Sequence, residues 1–396
     1  MSVRKRTWTS KGVEKSGWQA DYIDSQGVRR RKMFDKKKEA EGYSVSAKTE
    51  VREGRHVADS ASATVEEAGK LWVAARSRAG REQTTIDQYK QHLDLHITPF
   101  IGNVKLTGLT PPALRQFEDR LLDEGRSKAM VRKVLVSLGS LLTDAQERGL
   151  VARNVVRDMR GRRGSSDRRA EKRAKGRLKA GVDIPTPQEI KAIVGALQGR
   201  WRPILLTGIF TGLRASELRG LAWPDVDLAR GVIHVRQRAD RFRTIGKPKS
   251  EAGEREVPLP PIVANTLREW KVACPKSDLN LVFPNTSGGV VAHAQISREG
   301  YGKAQVRAGV VVTVGSEEGA EPVVAPKYTG LHSLRHFYAS WCINRRADGG
   351  LELPAKVVQE RLGHSSITMT MDTYGHLFPR GDDGAELAAA EAVLLG

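Results

Sequence analysis

Apolar and polar residues change period several times along this 396-residue chain, and each change predicts a new kind of element. Near the N-terminus the pattern is that of strands. Trp18-Gln-Ala-Asp-Tyr22-Ile-Asp, a turn at Ser25-Gln26-Gly27, and the run from Arg29 to Phe34 predict strand, hairpin and strand, with a helix beginning in 36–41. From 60 to 157 the period becomes helical, enough for four or five helices. Thr64-Val-Glu-Glu67 and Thr85-Ile-Asp-Gln88 have the form of capping boxes, in which a hydroxyl satisfies an orphan backbone donor at a helix start. Ile86, Tyr89, Leu93 and Ile97 then recur on one helical face. Thr110-Pro-Pro112 opens a further helix bearing Leu114, Phe117 and Leu121, and Val131, Leu135, Leu138 and Leu142 mark another.

The periodicity stops at 158–182. That stretch carries Arg160, Arg162, Arg163, Arg168 and Arg169, five more basic residues, and almost no apolar side chain. Such a segment cannot bury enough surface to offset its ordering entropy, so it predicts a linker that orders only against a partner. Helical signals resume at Thr186-Pro-Gln-Glu189, a capping box with proline at the first helical position, and predict helices over 187–197 and 203–210. Residues 231–235 and 255–259 predict strands flanking a basic loop, and helices return from His332 to an apolar-faced tail helix over 385–395. Residues 296–328 have no clear period, and 309–326 predict a surface loop or hairpin. The expected divisions are 1–55, 60–157, the linker 158–182, and 183–396. The expected fold class is multidomain and mainly α: a small N-terminal sheet with a helix, a helical bundle, and a mixed α+β C-terminal domain.

Composition sharpens this picture. No apolar run of about 18 residues and no signal-peptide pattern is found, so a cytoplasmic protein without a membrane partner is expected. Cys274 and Cys342 are the only cysteines, which fits a reducing compartment, and no Cys/His spacing suits zinc. The net charge of +20 points to a polyanion, with nucleic acid the first candidate. Its distribution says more than its size: residues 1–55 and 158–182 each carry an excess of +7, and the far longer 183–396 only +3. Arg29, Arg30, Arg31 and Lys32, with the linker arginines, are the candidate phosphate contacts.

The candidate chemistry lies in 183–396. Arg214 sits in Thr-Gly-Leu-Arg-Ala-Ser-Glu-Leu, His332 and Arg335 in His-Ser-Leu-Arg-His, His364 follows Leu362-Gly363, and Tyr374 comes ten residues later. Guanidinium groups can each donate two parallel hydrogen bonds to the nonbridging oxygens of a phosphodiester, which counters the charge that develops in its transition state. A phenol with a pKa of about 10 is a competent nucleophile once helped to lose its proton. The other six tyrosines have no such setting, and Tyr338, close to Arg335, is expected in the core. Glu217, one turn after Arg214, has no partner carboxylate and is not expected to hold a metal. No Walker-type loop is present.

In order and local wording, Arg … His-x-x-Arg … Leu-Gly-His … Tyr closely resembles the tyrosine recombinase (phage integrase) family over the last ~185 residues, and the specificity lies in four ordered motifs together. The N-terminal sheet resembles the family's arm-type DNA-binding domain, which implies a three-stranded sheet with a supporting helix, and 60–157 resembles its core-binding domain. The resemblance implies a site-specific DNA recombinase, the integrase of a prophage or genomic island, working through a 3′-phosphotyrosine at Tyr374 without cofactor or metal. It implies His332 as base or proton acceptor, His364 as a donor to the phosphate, and Glu217 as a support hydrogen-bonded to His332 or the arginines. His336 reads as structural. The family's leaving-group acid is a hairpin lysine, here Lys249 ahead of Lys247. The implied partners are double-stranded DNA at core and arm sites, a tetramer formed on it, and DNA-bending and excision-directing accessory proteins, in a bacterial cytoplasm and on the nucleoid when bound. The tail helix packs either in cis or on a neighbouring protomer. Relaxation of DNA in the manner of a type IB topoisomerase, and a non-catalytic DNA-binding regulator, are the alternative functions.

Overall fold

The computed structural model describes residues 2–10, 13–24, 27–54, 56–162, 177–315, 323–379 and 383–396. The chain divides into two compact units, Met1–Ala174 and Lys175–Gly396.

The first unit begins with a three-stranded antiparallel sheet, β1 (Ser2–Ser10), β2 (Val13–Ile23) and β3 (Arg29–Phe34). The strand β1 completes the sheet on the outer side of β2, with Ser2 and Arg31 opposite Asp21 on either side. Period-2 alternation gives the sheet two unlike faces. One packs Ala20 and Tyr22 against α1 (Lys37–Arg52), where the Tyr43 and Tyr22 hydroxyls are 3.1 Å apart. The other carries Gln19 and Asp21 with Arg4 of β1 and Arg29 and Arg31 of β3.

A helical bundle follows: α2 (Val65–Arg78), α3 (Gln83–His92), α4 (Thr98–Ile101), α5 (Pro111–Asp123), α6 (Lys128–Glu147) and α7 (Val155–Arg162). The Thr64 capping box is formed, with Thr64 Oγ1 accepting from the Glu67 N–H and the Glu67 carboxylate accepting from the Thr64 N–H. The Thr85 box is not. The α3 helix starts two residues earlier than Thr85, its cap residue is Glu82, and the Thr85 and Ile86 N–H groups donate to the Glu82 carbonyl. A threonine already inside the first turn has no orphan donor to satisfy. Leu93–Ile97 widens into a π-type turn, and the apolar stripe continues across it into a core of Trp72, Ile97, Phe117, Leu121, Leu138 and Leu142.

The second unit opens with α8 (Pro187–Ala196), capped by Thr186 through the expected reciprocal box, and α9 (Trp201–Thr211), whose end Gly212 turns left-handed at φ 61. The short α10 (Ala215–Gly220) follows. A sheet of β4 (Val226–Asp227), β5 (Val232–Val235) and β8 (Arg255–Pro258) contains the two expected strands. Between β5 and β8 lies a hairpin of β6 (Arg238–Ala239) and β7 (Ile245–Gly246). After α11 (Pro261–Ala273) the stretch without clear period is helical: α12 (His293–Gln295), a π-type turn Ile296–Gly302 and α13 (Lys303–Arg307). A small hairpin, β9 (Val311–Thr313) and β10 (Val324–Pro326), follows. The chain then runs through α14 (His332–Ile343), α15 (Ala355–Leu362), α16 (Ile367–Tyr374) and α17 (Asp383–Leu395). The result is the expected fold class, mainly helical with small sheets. Among the described residues, no helix is long and apolar enough to cross a membrane.

Candidate active site

The last turn of α15 organises the centre of the second unit. A helix leaves its final carbonyls without intrahelical partners, at the negative end of its dipole. Here three consecutive carbonyls each accept from a different arginine. Arg361 O accepts from Arg255 Nε at 2.8 Å, Leu362 O from Arg335 Nη2, and Gly363 O from Arg214 Nη2 at 2.9 Å. Gly363 is left-handed at φ 62, and a β-carbon there would lie 2.8 Å from the Ala252 carbonyl, so the turn requires glycine. Gly212 plays a matching part: its carbonyl accepts from Arg335 Nη1 at 2.7 Å, and a β-carbon would lie 2.3 Å from the Tyr338 ring. The words Thr-Gly-Leu-Arg and Leu-Gly-His therefore encode two glycine caps whose carbonyls hold the arginines.

Glu217 fixes these guanidiniums from the other side. Its Oε1 accepts from Arg214 Nη1 at 2.7 Å, and its Oε2 accepts from Arg255 Nη2 and from the Arg214 backbone N–H, both at 2.9 Å. The Glu217 and Arg255 side chains are only 3% and 6% exposed, so this is a buried pair. Burial alone would raise the Glu217 carboxyl, but Arg255 and Arg214 reverse that and hold it at about 2. Burial, with Arg214 adding to it, lowers Arg335 to about 9, still charged at neutral pH.

Tyr374 ends α16 and is 1% exposed, with its hydroxyl 2.8 Å from His336 Nδ1. The His364 ring stacks parallel to it with centroids 6.3 Å apart, and His332 packs edge-to-face on His336 at 4.6 Å. Burial raises the Tyr374 phenol to about 12, against the opposing pull of Arg335 and Arg214. Burial first, then the neighbouring arginines, lowers His364 to about 4; burial, then His332 and Arg335, does the same to His336. His332 is lowered for the same reason, by burial, Arg335 and Arg214. All three imidazoles are neutral near pH 7. His364 Nδ1 lies 2.9 Å from the Thr370 hydroxyl; where Nδ1 accepts, the ring proton sits on Nε2, ready to be donated.

The structure thus brings together Arg214, Glu217, His332, Arg335, His364 and Tyr374. Lys247 and Lys249 are both exposed on the loop after β7. Arg238 Nε donates to the Lys247 carbonyl of this loop at 3.1 Å, and the buried Arg219 donates to the Asp240 carbonyl in the turn between β6 and β7 and to the Val291 carbonyl. Tyr338 is a core residue, 1% exposed. One residue of the cluster has no signal in the sequence: Arg255 reads only as the start of a strand, because its partner Glu217 lies 38 residues away. His336, next to Arg335 and read as structural, is the histidine hydrogen-bonded to the Tyr374 hydroxyl. Among the described residues, no group of three His, Cys, Asp or Glu side chains is arranged to hold a metal ion.

The basic run of β3 is divided by the sheet. Arg29 and Arg31 share a face with Arg4, and all three surround the buried carboxylate of Asp21 at 3.6, 3.5 and 3.0 Å. Arg30 and Lys32 point the other way. Arg30 Nε donates to Asp24 at 2.8 Å and Nη1 to Ser60, and Lys32 pairs with Asp59 at 2.5 Å while lying over the Tyr43 ring. In the linker, Arg160 and Arg162 belong to α7, and Arg163, Arg168 and Arg169 lie outside the described residues.

Comparison with known proteins now decides the family. Residues 185–380 match the model of the phage integrase family, and residues 64–122 that of the phage integrase N-terminal SAM-like domain. A tyrosine recombinase XerC-like protein of Caldanaerobacter subterraneus subsp. tengcongensis is 26% identical over 370 residues, covering 87% of each chain. The chain belongs to the phage integrase family of tyrosine recombinases. Its fold is shared with the Tn1549 transposon integrase solved with circular intermediate DNA, at TM-score 0.59 and 18% identity over 82% of this chain and 99% of that one. It is shared also with a lambda integrase tetramer bound to a Holliday junction, at TM-score 0.53 and 16% identity over 91% and 96%. In this tyrosine recombinase the family match encloses every candidate from Arg214 to Tyr374, and the arginine-bearing sheet of residues 2–34 lies outside both matched segments.

Proposed function

We propose that this recombinase is the integrase of a prophage or genomic island, cutting and rejoining DNA strands through a 3′-phosphotyrosine at Tyr374. The observation that carries the reading is the convergence of Arg214 and Arg335 on the turn preceding His364, in a cluster whose only buried tyrosine hydroxyl paired to a described histidine is that of Tyr374. Arg214 and Arg335 bind the nonbridging oxygens and His364 donates through Nε2. Lys249, with Lys247 second, protonates the leaving 5′ oxygen. The family resemblance implies His332 as the proton acceptor, whereas the histidine hydrogen-bonded to the phenol is His336. The covalent link conserves the phosphodiester's energy, so the reading requires no cofactor.

The exposed face of the N-terminal sheet, with Arg4, Arg29 and Arg31, fits arm-site DNA. Duplex DNA carries a charge every ~1.7 Å, and neutralising its phosphates releases counterions. The basic linker from Arg160 to Arg169 fits the backbone near the core site. Leu387, Val393, Leu394 and Leu395 of α17 are all exposed, which favours the tail packing on a neighbouring protomer of a tetramer over folding back in cis. DNA-bending and excision-directing proteins complete the proposed assembly. The test is a nicked suicide duplex whose site is selected from a random library by retention on the Tyr374→Phe protein. A covalent adduct formed by wild type and lost in Tyr374→Phe supports the reading; an adduct retained in that variant overturns it.

A further inference from the structure

We infer that His336, rather than His332, accepts the phenolic proton of Tyr374 during strand cleavage. The inference rests on Tyr374 being the nucleophile, as proposed above. Its geometry is direct: His336 Nδ1 is 2.8 Å from the Tyr374 hydroxyl, within the range a general base needs. His332 lies one turn earlier on the same helix, and its described ring contact is with His336. Tyr374 is buried, so its O–H must be satisfied inside the protein. If Nδ1 donated to the phenol oxygen, the phenolic proton would lack the partner that this geometry supplies. The other direction satisfies it, with the ring proton on Nε2.

The groups facing His336 set when transfer occurs. His332 and Arg335 from its own helix favour the neutral ring, Asp183 from the segment before α8 opposes them, and Tyr374 approaches from α16. In the resting protein burial holds the phenol up at about 12 and the imidazole down at about 4, so the proton stays on oxygen. A phosphodiester between Arg214 and Arg335 places negative charge beside the ring and raises its proton affinity. The bond from Tyr374 Oη to phosphorus then forms as the phosphorus–O5′ bond breaks. The phenolic proton passes to His336 Nδ1, and the departing 5′ oxygen takes a proton from the loop lysine. Rejoining returns both protons by the reverse path.

The test uses the full chain in single-turnover cleavage of the nicked duplex from pH 6 to 9. Wild type is compared with His336→Asn, and with His336→Asn carrying 3-fluorotyrosine, a more acidic phenol, at position 374. The expected result is a loss of about 100-fold in His336→Asn with DNA affinity unchanged, in line with removal of a general base. In that variant the rate should climb about tenfold per pH unit, since solvent hydroxide must now ionise the phenol, and fluorotyrosine should restore about tenfold. A rate within about threefold of wild type, or a loss that neither pH nor fluorotyrosine recovers, overturns the role. If His336→Asn and His336→Gln both fail to fold, His332→Asn decides: a loss of rate that 3-fluorotyrosine at 374 does not recover supports His336 as the base, and a loss that it recovers about tenfold assigns the base to His332 and overturns the role. No adduct in wild type, or one persisting in Tyr374→Phe, breaks the underlying reading instead.

Discussion

The chain builds the same motif twice, an arginine cluster around a buried carboxylate, and the two clusters differ in what surrounds the arginines. At Asp21 the carboxylate is 5% exposed, but Arg4, Arg29 and Arg31 are 45–60% exposed, held by one acid and otherwise in water. At Glu217 the partners are Arg255, only 6% exposed, and Arg214, 36% exposed, and these two guanidiniums are bound on their far side by the Arg361 and Gly363 carbonyls. Both carboxyls sit below their usual range: burial alone would raise them, and it is outweighed at Glu217 by Arg255 and Arg214 and at Asp21 by the Gln19 hydrogen bond followed by Arg4, Arg29 and Arg31. The first arrangement leaves its arginines to solvent, as the proposed polyanion surface requires. The second fixes them in place, as the proposed phosphate site requires. Burial converts a binding surface into a pre-organised site.

Breaking each carboxylate separates the two most strongly. Glu217→Ala strands Arg255 in the interior and should cost about 3–5 kcal/mol in denaturant unfolding of the second unit. Asp21→Asn removes a partner from arginines that stay solvated and should cost about 1 kcal/mol or less. Next come the glycines. Gly212→Ala forces a left-handed alanine against the Tyr338 ring and should cost about 2–4 kcal/mol, whereas Gly27→Ala, with φ 78 and open space around it, should cost about 1–2.

Acid sharpens the comparison further. The folded pKa values of His336 and His364 lie near 4, below the ordinary 6.5, so the unfolded chain takes up protons first as pH falls. Stability of the second unit is therefore full above about pH 6.5 and should drop by about 4 kcal/mol by pH 5, about 2 from each histidine, with Glu217 adding its loss between about 4.5 and 2. Melting followed through the second unit's tryptophans checks this, and DNA at the site should blunt the drop by raising the histidines. The smallest effect is in binding. Arg29→Ala with Arg31→Ala should lower the slope of log affinity against log salt by about 2 for arm-type DNA, and Arg30→Ala with Lys32→Ala should leave it unchanged.

What was legible in the sequence was local. The Thr64 and Thr186 capping boxes, the two strands around the basic loop and the spacing of the motif residues all involve neighbours a few positions apart. The Thr85 box misled because the residue types fit while the helix already begins at Gln83, with Glu82 in the cap position. The helix over 293–307 escaped because a π-type turn through Gly300, Tyr301 and Gly302 breaks the 3.6 period. The β1 strand carries almost no apolar alternation, since most of its residues are exposed. Arg255 could not be found without the fold, because the pair it makes with Glu217 exists only when β8 and α10 meet. His332 and His336, four apart, lie on the same face of one helix, so only packing decides which of them reaches Tyr374.

The central claim is that the arginine-bound phosphate is attacked by Tyr374. Mass-spectrometric mapping of the trapped protein–DNA adduct tests it most directly, after digestion of both chain and duplex. A nucleotide joined through its 3′ phosphate to the peptide containing Tyr374 is expected, and none in Arg335→Ala. A nucleotide on any other tyrosine, or joined through a 5′ phosphate, contradicts it.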